Sequence, residues 1–204
     1  ASGFTGSGTT YQATITPAAD GPVTVDIALG AAQDAVSNPN AAATQFSVAA
    51  DITPPTVAFS GPTAIQSGPF NVDITFSEDI TGFAAIDVDV INGVVSAFSG
   101  SGTDWLIEVT PTAEGTLTVD IPAGRLTDVA GNANTAAPQF SVDTDLTPPT
   151  VTIASAATGV QTGAFDVTFT FSETVTGFEL ADITVGNGAA SAFTGSGTSY
   201  GATI

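Results

Sequence analysis

The sequence predicts an all-β chain of tandem antiparallel β-sandwiches, each of about seven strands, and three observations predict it. First, Asp51-Ile52-Thr53-Pro54-Pro55-Thr56-Val57 returns 94 residues later as Asp145-Leu146-Thr147-Pro148-Pro149-Thr150-Val151, which marks a repeat large enough to bury its own core. Second, apolar residues alternate with polar ones in short runs, and no helical periodicity competes. Third, Gly, Pro, Asn and Asp clusters punctuate those runs, so each run ends in a turn. A single sheet would leave one apolar face in water, and two packed sheets solve that problem.

The repeat divides the chain into residues 1–48, the second part of one unit; 49–143, a complete unit; and 144–204, the first part of another. In the first part, the turn-rich segment from Ala1 to Tyr11 reappears at Ser96 to Trp105 and at Ala190 to Tyr200, which fixes the register of the three copies. Tyr11, Ala13 and Ile15 alternate along one predicted strand and Val23, Val25 and Ile27 along another, with Pro17-Ala18-Ala19-Asp20-Gly21 as the turn between them. A loop with Asp34, Asn38 and Asn40 then leads to a strand at Gln45-Phe46-Ser47-Val48.

In the complete unit, Phe70-Asn71-Val72-Asp73-Ile74-Thr75-Phe76 is the clearest strand. Ile86, Val88 and Val90 predict the next, ended by the hairpin-type pair Asn92-Gly93, which returns as Asn187-Gly188. Trp105, Ile107 and Val109, then Leu117, Val119 and Ile121, then Phe140 and Val142 supply the rest. In the last part, Phe165, Val167, Phe169 and Phe171 repeat the first of these strands. Pro54-Pro55 and Pro148-Pro149 fix φ and cannot donate to a ladder, so each pair opens an edge strand and stiffens the link before it.

Twenty acids stand against the single base Arg125, for a net charge of -19. That balance opposes nucleic acid and anionic membranes, which need clustered Lys and Arg, and favours divalent cations. There is no Cys and no His, which removes thiol nucleophiles, disulfides, imidazole bases and zinc ligands. No apolar run is long enough to insert in a membrane.

The Asp-x-Thr-Pro-Pro-Thr-Val opening, the strand ends Phe76-Ser77-Glu78 and Phe171-Ser172-Glu173, the Asn-Gly pair and the loop Asp128-Val129-Ala130-Gly131-Asn132 together resemble the bacterial Ig-like repeats of giant surface adhesins, over the whole chain. The resemblance implies Ig-like sandwiches in a long array on a bacterial surface or outside the cell, a stalk between an anchor and a distal binding domain, with calcium at the junctions. The first copy departs from it, with Gln33-Asp34-Ala35-Val36-Ser37-Asn38-Pro39 in place of the Ala-Gly-Asn loop, and weaker ion binding is expected there.

With strands lettered A to G in Ig order, the recurring acids fall at one pole: Asp51 and Asp145 before strand A, Glu78 and Glu173 after B, Asp87 and Asp182 entering C, Asp34 and Asp128 between F and G. Converging carboxylates repel unless a cation neutralises them, and an all-oxygen set, completed by Asn132 and carbonyls, suits Ca2+. Any one of these acids could instead cap a turn or sit solvated; the argument rests on the set. Asp143 adds an acid to the second linker, where the first has Ala49, so tighter binding is expected at the Asp145 junction.

Three functional classes follow. The first is a structural spacer whose partners are neighbouring repeats. The second is a self-assembling filament or sheath subunit, in which the incomplete ends associate head to tail between chains. The third is a carbohydrate-binding module using Trp105, although its phase with Ile107 and Val109 assigns that residue to the core. Catalysis is not expected, because the carboxylates recur in every unit whereas an active site is usually single in an array.

Overall fold

In the computed structural model, which describes residues 1–204, the chain forms two compact units, 1–146 and 147–204. The first unit opens with two antiparallel hairpins, β1 (Ser2–Ser7) with β2 (Thr10–Thr14) and β3 (Gly21–Val25) with β4 (Phe46–Ala50). No residue of these four strands is buried, and Phe4, Phe46 and Val48 are exposed, because the hairpins lack the opposing layer of a full sandwich.

The complete repeat supplies both layers. It comprises β5 (Val57–Ser60), β6 (Phe70–Phe76), β7 (Ile80–Thr81), a 3-10 turn (Ala85–Asp87), β8 (Asp89–Ile91), β9 (Gly93–Ser101), β10 (Asp104–Pro111), β11 (Gly115–Asp120), β12 (Thr127–Asp128) and β13 (Phe140–Thr144). One sheet runs β5-β6-β10-β9 and the other β13-β11-β8, with β7 and β12 forming a small ribbon. Lettered in chain order, these are A-B-E-D against C-F-G, the four-on-three arrangement of an immunoglobulin constant-type sandwich. The expected seven principal strands are present.

Alternation decides which side chains meet between the sheets. On β6, Phe70, Val72, Ile74 and Phe76 are buried while Asn71, Asp73 and Thr75 face water. Opposite them lie Leu117, Val119 and Ile121, all fully buried, and beside them on the same sheet Ile107 and Val109 of β10 extend the buried face. Burying each such side chain contributes about 1.5–3 kcal/mol, which makes this strip the main source of stability. Phe83, which no alternation pointed to, lies edge-on to Phe76, Phe98 and Trp105 at 5.1–5.2 Å between ring centroids. Trp105 belongs to that cluster and donates its indole N–H to the Gly102 carbonyl, as its phase predicted for a core residue.

Two sequence expectations need correction. Asn92-Gly93 does not close a hairpin: β8 pairs with β11, whereas β9 pairs with β10, so the pair turns the chain from one sheet into the other. Asn92 takes φ +58, and its amide donates to the Thr116 carbonyl, which pins the corner to β11. Ile86, whose phase with Val88 and Val90 predicts a strand's apolar face, lies in the 3-10 turn and is 83% exposed. A three-residue turn there breaks the period-two register before β8 starts.

The second unit contains β14 (Val151–Ala154), β15 (Asp166–Phe171), a 3-10 turn (Leu180–Asp182), β16 (Ser191–Ser196) and β17 (Ser199–Thr203). Its sheet order, β14-β15-β17-β16, reproduces A-B-E-D. Phe178 takes the place of Phe83, edge-on to Phe169, Phe171 and Tyr200, and the Tyr200 hydroxyl donates to the Val175 carbonyl. Val151 and Ile153 lie on a hollow beside Val167 and Phe169, on the face that C-F-G covers in the complete repeat.

Candidate metal centre

At the pole where the chain enters the complete repeat, three backbone devices bring acids together. The linker is tied to the end of β6, since Thr56 N–H donates to Ser77 Oγ and Ser77 N–H donates to the Thr56 carbonyl. Ser77 thus places Glu78 beside the linker carrying Asp51. The same exchange joins Thr150 and Ser172 in the second unit. The β7–β12 ribbon, with Asp128 opposite Ile80, then brings the F–G segment against the B–C segment.

The third device is the F–G loop itself. Asp128 is buried and accepts from the backbone N–H of Asn132 and from its amide nitrogen, each at 2.8 Å. Asn134, 3% exposed, closes the loop from inside: its Oδ1 accepts from Leu126 N–H, and its Nδ2 donates to the Pro122 and Thr135 carbonyls. One side chain thus satisfies the N–H of the buried Leu126 together with two carbonyls of the loop. In the first hairpin pair Asn40 makes the matching bonds to Ala32, Ala28 and Ala41.

Together these devices set Asp51, Glu78 and Asp128 so that one carboxylate oxygen of each lies within 4.8 Å of the others. An ion bound at about 2.3–2.6 Å spans such a separation, and a hard divalent cation matches an all-oxygen donor set. Electrostatics agree. Burial and the neighbouring Asp51, Asp128 and Asp20 push the Glu78 carboxyl above its ordinary range. At Asp128 burial opposes ionisation, but the donors from Asn132, Gly131 and Ala130 outweigh it and hold the carboxyl below its ordinary value. One member of the cluster resists ionisation while another is fixed as an anion, and a cation relieves that conflict.

The other residues singled out by sequence lie as follows. Asn132 reaches the cluster, but with its nitrogen forward: Nδ2 donates to Asp128 Oδ2 and to the Asp51 carbonyl. Asp87 caps its own 3-10 turn by accepting from Ala84 N–H, and Asp182 does the same for Glu179 N–H. Neither belongs to the three-carboxylate set. Asp34 accepts from the N–H groups of Val36 and Asn38 and from the Asn38 amide, so its loop holds the Asp128 geometry despite the different residues between. Asp143 accepts from Thr116 Oγ1 on β11, and Asp145 donates its N–H to the Gln66 carbonyl. Glu173 follows β15 and Ser172, as Glu78 follows β6 and Ser77.

Sequence reasoning passed over Asp20. Its carboxylate accepts from Ile52 N–H at 2.7 Å and from the Thr53 hydroxyl, and it lines the same cleft as Asp51 and Glu78. Its place in a turn reads as local capping, and the one signal against that reading is that an acid, Glu114, recurs at the same position one repeat on.

A four-on-three sandwich whose four-stranded sheet recurs in the second unit defines an immunoglobulin-type repeat module. The chain belongs to the bacterial Ig-like domain family, whose model matches residues 51–143 and 145–204. Domains of this family are non-enzymatic and commonly extracellular or surface-located, as structural or adhesin-type modules. No curated protein matches the chain. No helix is long and apolar enough to cross a membrane.

Proposed function

We propose that this chain is a stalk segment of a bacterial surface or secreted adhesin, in which Ca2+ bound at the inter-repeat poles stiffens the array. The observation that carries this reading is the convergence of Asp51, Glu78 and Asp128 where the linker enters the complete repeat. The ion's contribution is conformational. It would bind linker, B–C segment and F–G loop at once, and each of the three would lose freedom relative to the others. Asp51 belongs to the linker, so the ion restrains the joint as well as the sandwich. Rotation of the Asn132 amide would turn its oxygen inward as a further ligand, and backbone carbonyls and water would complete a shell of six to eight.

The test is a thermal melt of the chain with a few millimolar CaCl2 and then with chelator. A rise in Tm with calcium, lost in Asp128→Ala, supports the reading, because a ligand that binds only the folded state must stabilise it. An unchanged Tm returns these acids to turn caps and solvated strand ends.

A further inference from the structure

We infer that Asp20 is an inter-repeat clip: a carboxylate on one repeat's E–F turn that grips the linker leading into the next and holds the joint at one angle. The turn Pro17-Ala18-Ala19-Asp20-Gly21 joins β2 to β3, and Gly21 at φ +113 reverses the chain so that the Asp20 side chain projects at the linker. Both carboxylate oxygens are used, one by Ile52 N–H and the other by the Thr53 hydroxyl. The partners are 32 and 33 residues away in sequence, so this is no local Asx turn.

Thr53 is held from a second side, since its own N–H donates to Asp51 Oδ1. Beyond it Pro54 and Pro55 fix φ, and Pro55 is fully buried in the complete repeat. The clip therefore acts on the last residues of the linker that retain freedom before the chain is locked into the sandwich. With Ile52 and Thr53 fastened to the E–F turn, each hydrogen bond narrows the range through which the first repeat can swing, and only the loss of both frees it. A charged acceptor makes each of these stronger than a neutral pair would be.

The inference assigns a role to the threonine of the Asp-x-Thr-Pro-Pro motif: it is the hydroxyl donor to the preceding repeat's E–F acid. In the next copy the sequence places Glu114 and Thr147 at the same two positions. The clip needs no ion, and it stands or falls independently of the calcium reading.

The absence of native Cys makes the test direct. Thr24→Cys and Asn71→Cys, both exposed strand positions on either side of the joint, are spin-labelled in the 204-residue chain. The inter-label distance distribution is measured by pulsed electron resonance in chelator. The wild-type background should give a narrow distribution. Asp20→Ala should broaden it, Thr53→Val should broaden it less because the Ile52 bond survives, and Asp20→Glu should stay close to the narrow form. Trp105 fluorescence reports that the complete repeat remains folded in each variant. A distribution in Asp20→Ala as narrow as the parent's, with Trp105 emission unchanged, overturns the inference.

Discussion

Ser37 occupies, at φ +71, the left-handed backbone position that Gly131 occupies at φ +94 in the following repeat. Two loops of different sequence thus take one course, and Asp34 and Asp128 each accept from the asparagine four residues on. The departure of the first loop from the Ala-Gly-Asn pattern costs backbone strain at Ser37, and the acid keeps its hydrogen-bonded geometry.

Gly131 carries that conformation without strain, and a side chain there does not. Gly131→Ala should destabilise the complete repeat by about 1–2 kcal/mol, the ordinary cost of a left-handed non-glycine residue. Nothing lies within 4 Å of the added Cβ, so the effect measured by urea denaturation should be conformational, with no clash to add to it.

Gly100 presents the opposite case. A Cβ there would meet the Asp104 carbonyl oxygen at 2.5 Å and the Trp105 Cα at 2.6 Å, both backbone-anchored. Gly100→Ala should therefore destabilise more than Gly131→Ala and should shift Trp105 fluorescence, since the turn between β9 and β10 must open.

Asn134→Ala removes the acceptor for Leu126 N–H and both amide donors of a 3%-exposed side chain. Leaving the N–H of buried Leu126 unpaired costs roughly 1–3 kcal/mol, and a loss of about that size is expected in chemical denaturation. Because the same side chain shapes the loop carrying Asp128, the calcium-induced rise in Tm should shrink as well.

Glu78 gives a pH signature. Its carboxyl is raised in the folded chain, so the folded state holds more protons than the unfolded state above the ordinary glutamate value of 4.5. Stability falls as pH rises through that window and stays lower above it. Asp128 has the opposite sign: its value is depressed, and the stability it contributes is lost as pH falls below the ordinary aspartate value of 3.8. In chelator, Glu78→Gln should raise Tm at neutral pH by removing the first effect, and its gain over wild type should vanish toward pH 4. In calcium the same variant should lose stabilisation. A Glu78→Gln chain that melts like wild type in both conditions at every pH would contradict this account.

The fold was legible because alternation is a direct image of a two-faced strand: Val72, Ile74, Leu117 and Val119 are inward where the pattern put them. The count of about seven strands was legible too, whereas their division into four and three comes from the pairing of the strands. What alternation cannot encode is a residue that acts outside a strand. Phe83 fills the core from a connecting segment, and Ile86, three residues on, points to water from a 3-10 turn. Asn92-Gly93 shows that positive-φ chemistry marks a turn without saying which two strands it joins. At the pole, topology predicted the neighbourhood of Asp51, Glu78 and Asp128, but not that Asp87 would be used by its own backbone. Ser77, Asn134 and Asp20 bond across 21, 8 and 32 residues respectively, and nothing in the local sequence marks such partners.

Gln66 lies outside the named strands, yet it forms a parallel bridge with Thr144 at the end of β13. Its N–H donates to the Asp143 carbonyl, and its own carbonyl accepts from Asp145 N–H. Asp145 directly follows β13, so a pull on the chain there would be passed to the end of that strand. Sheet hydrogen bonds run across the strands, so a pull along the strand strains the two Gln66 bonds together and cannot peel them one at a time. The exit of the repeat thus carries a two-bond clamp that a pull on Asp145 would load in shear, set in a segment that secondary structure alone would class as loop.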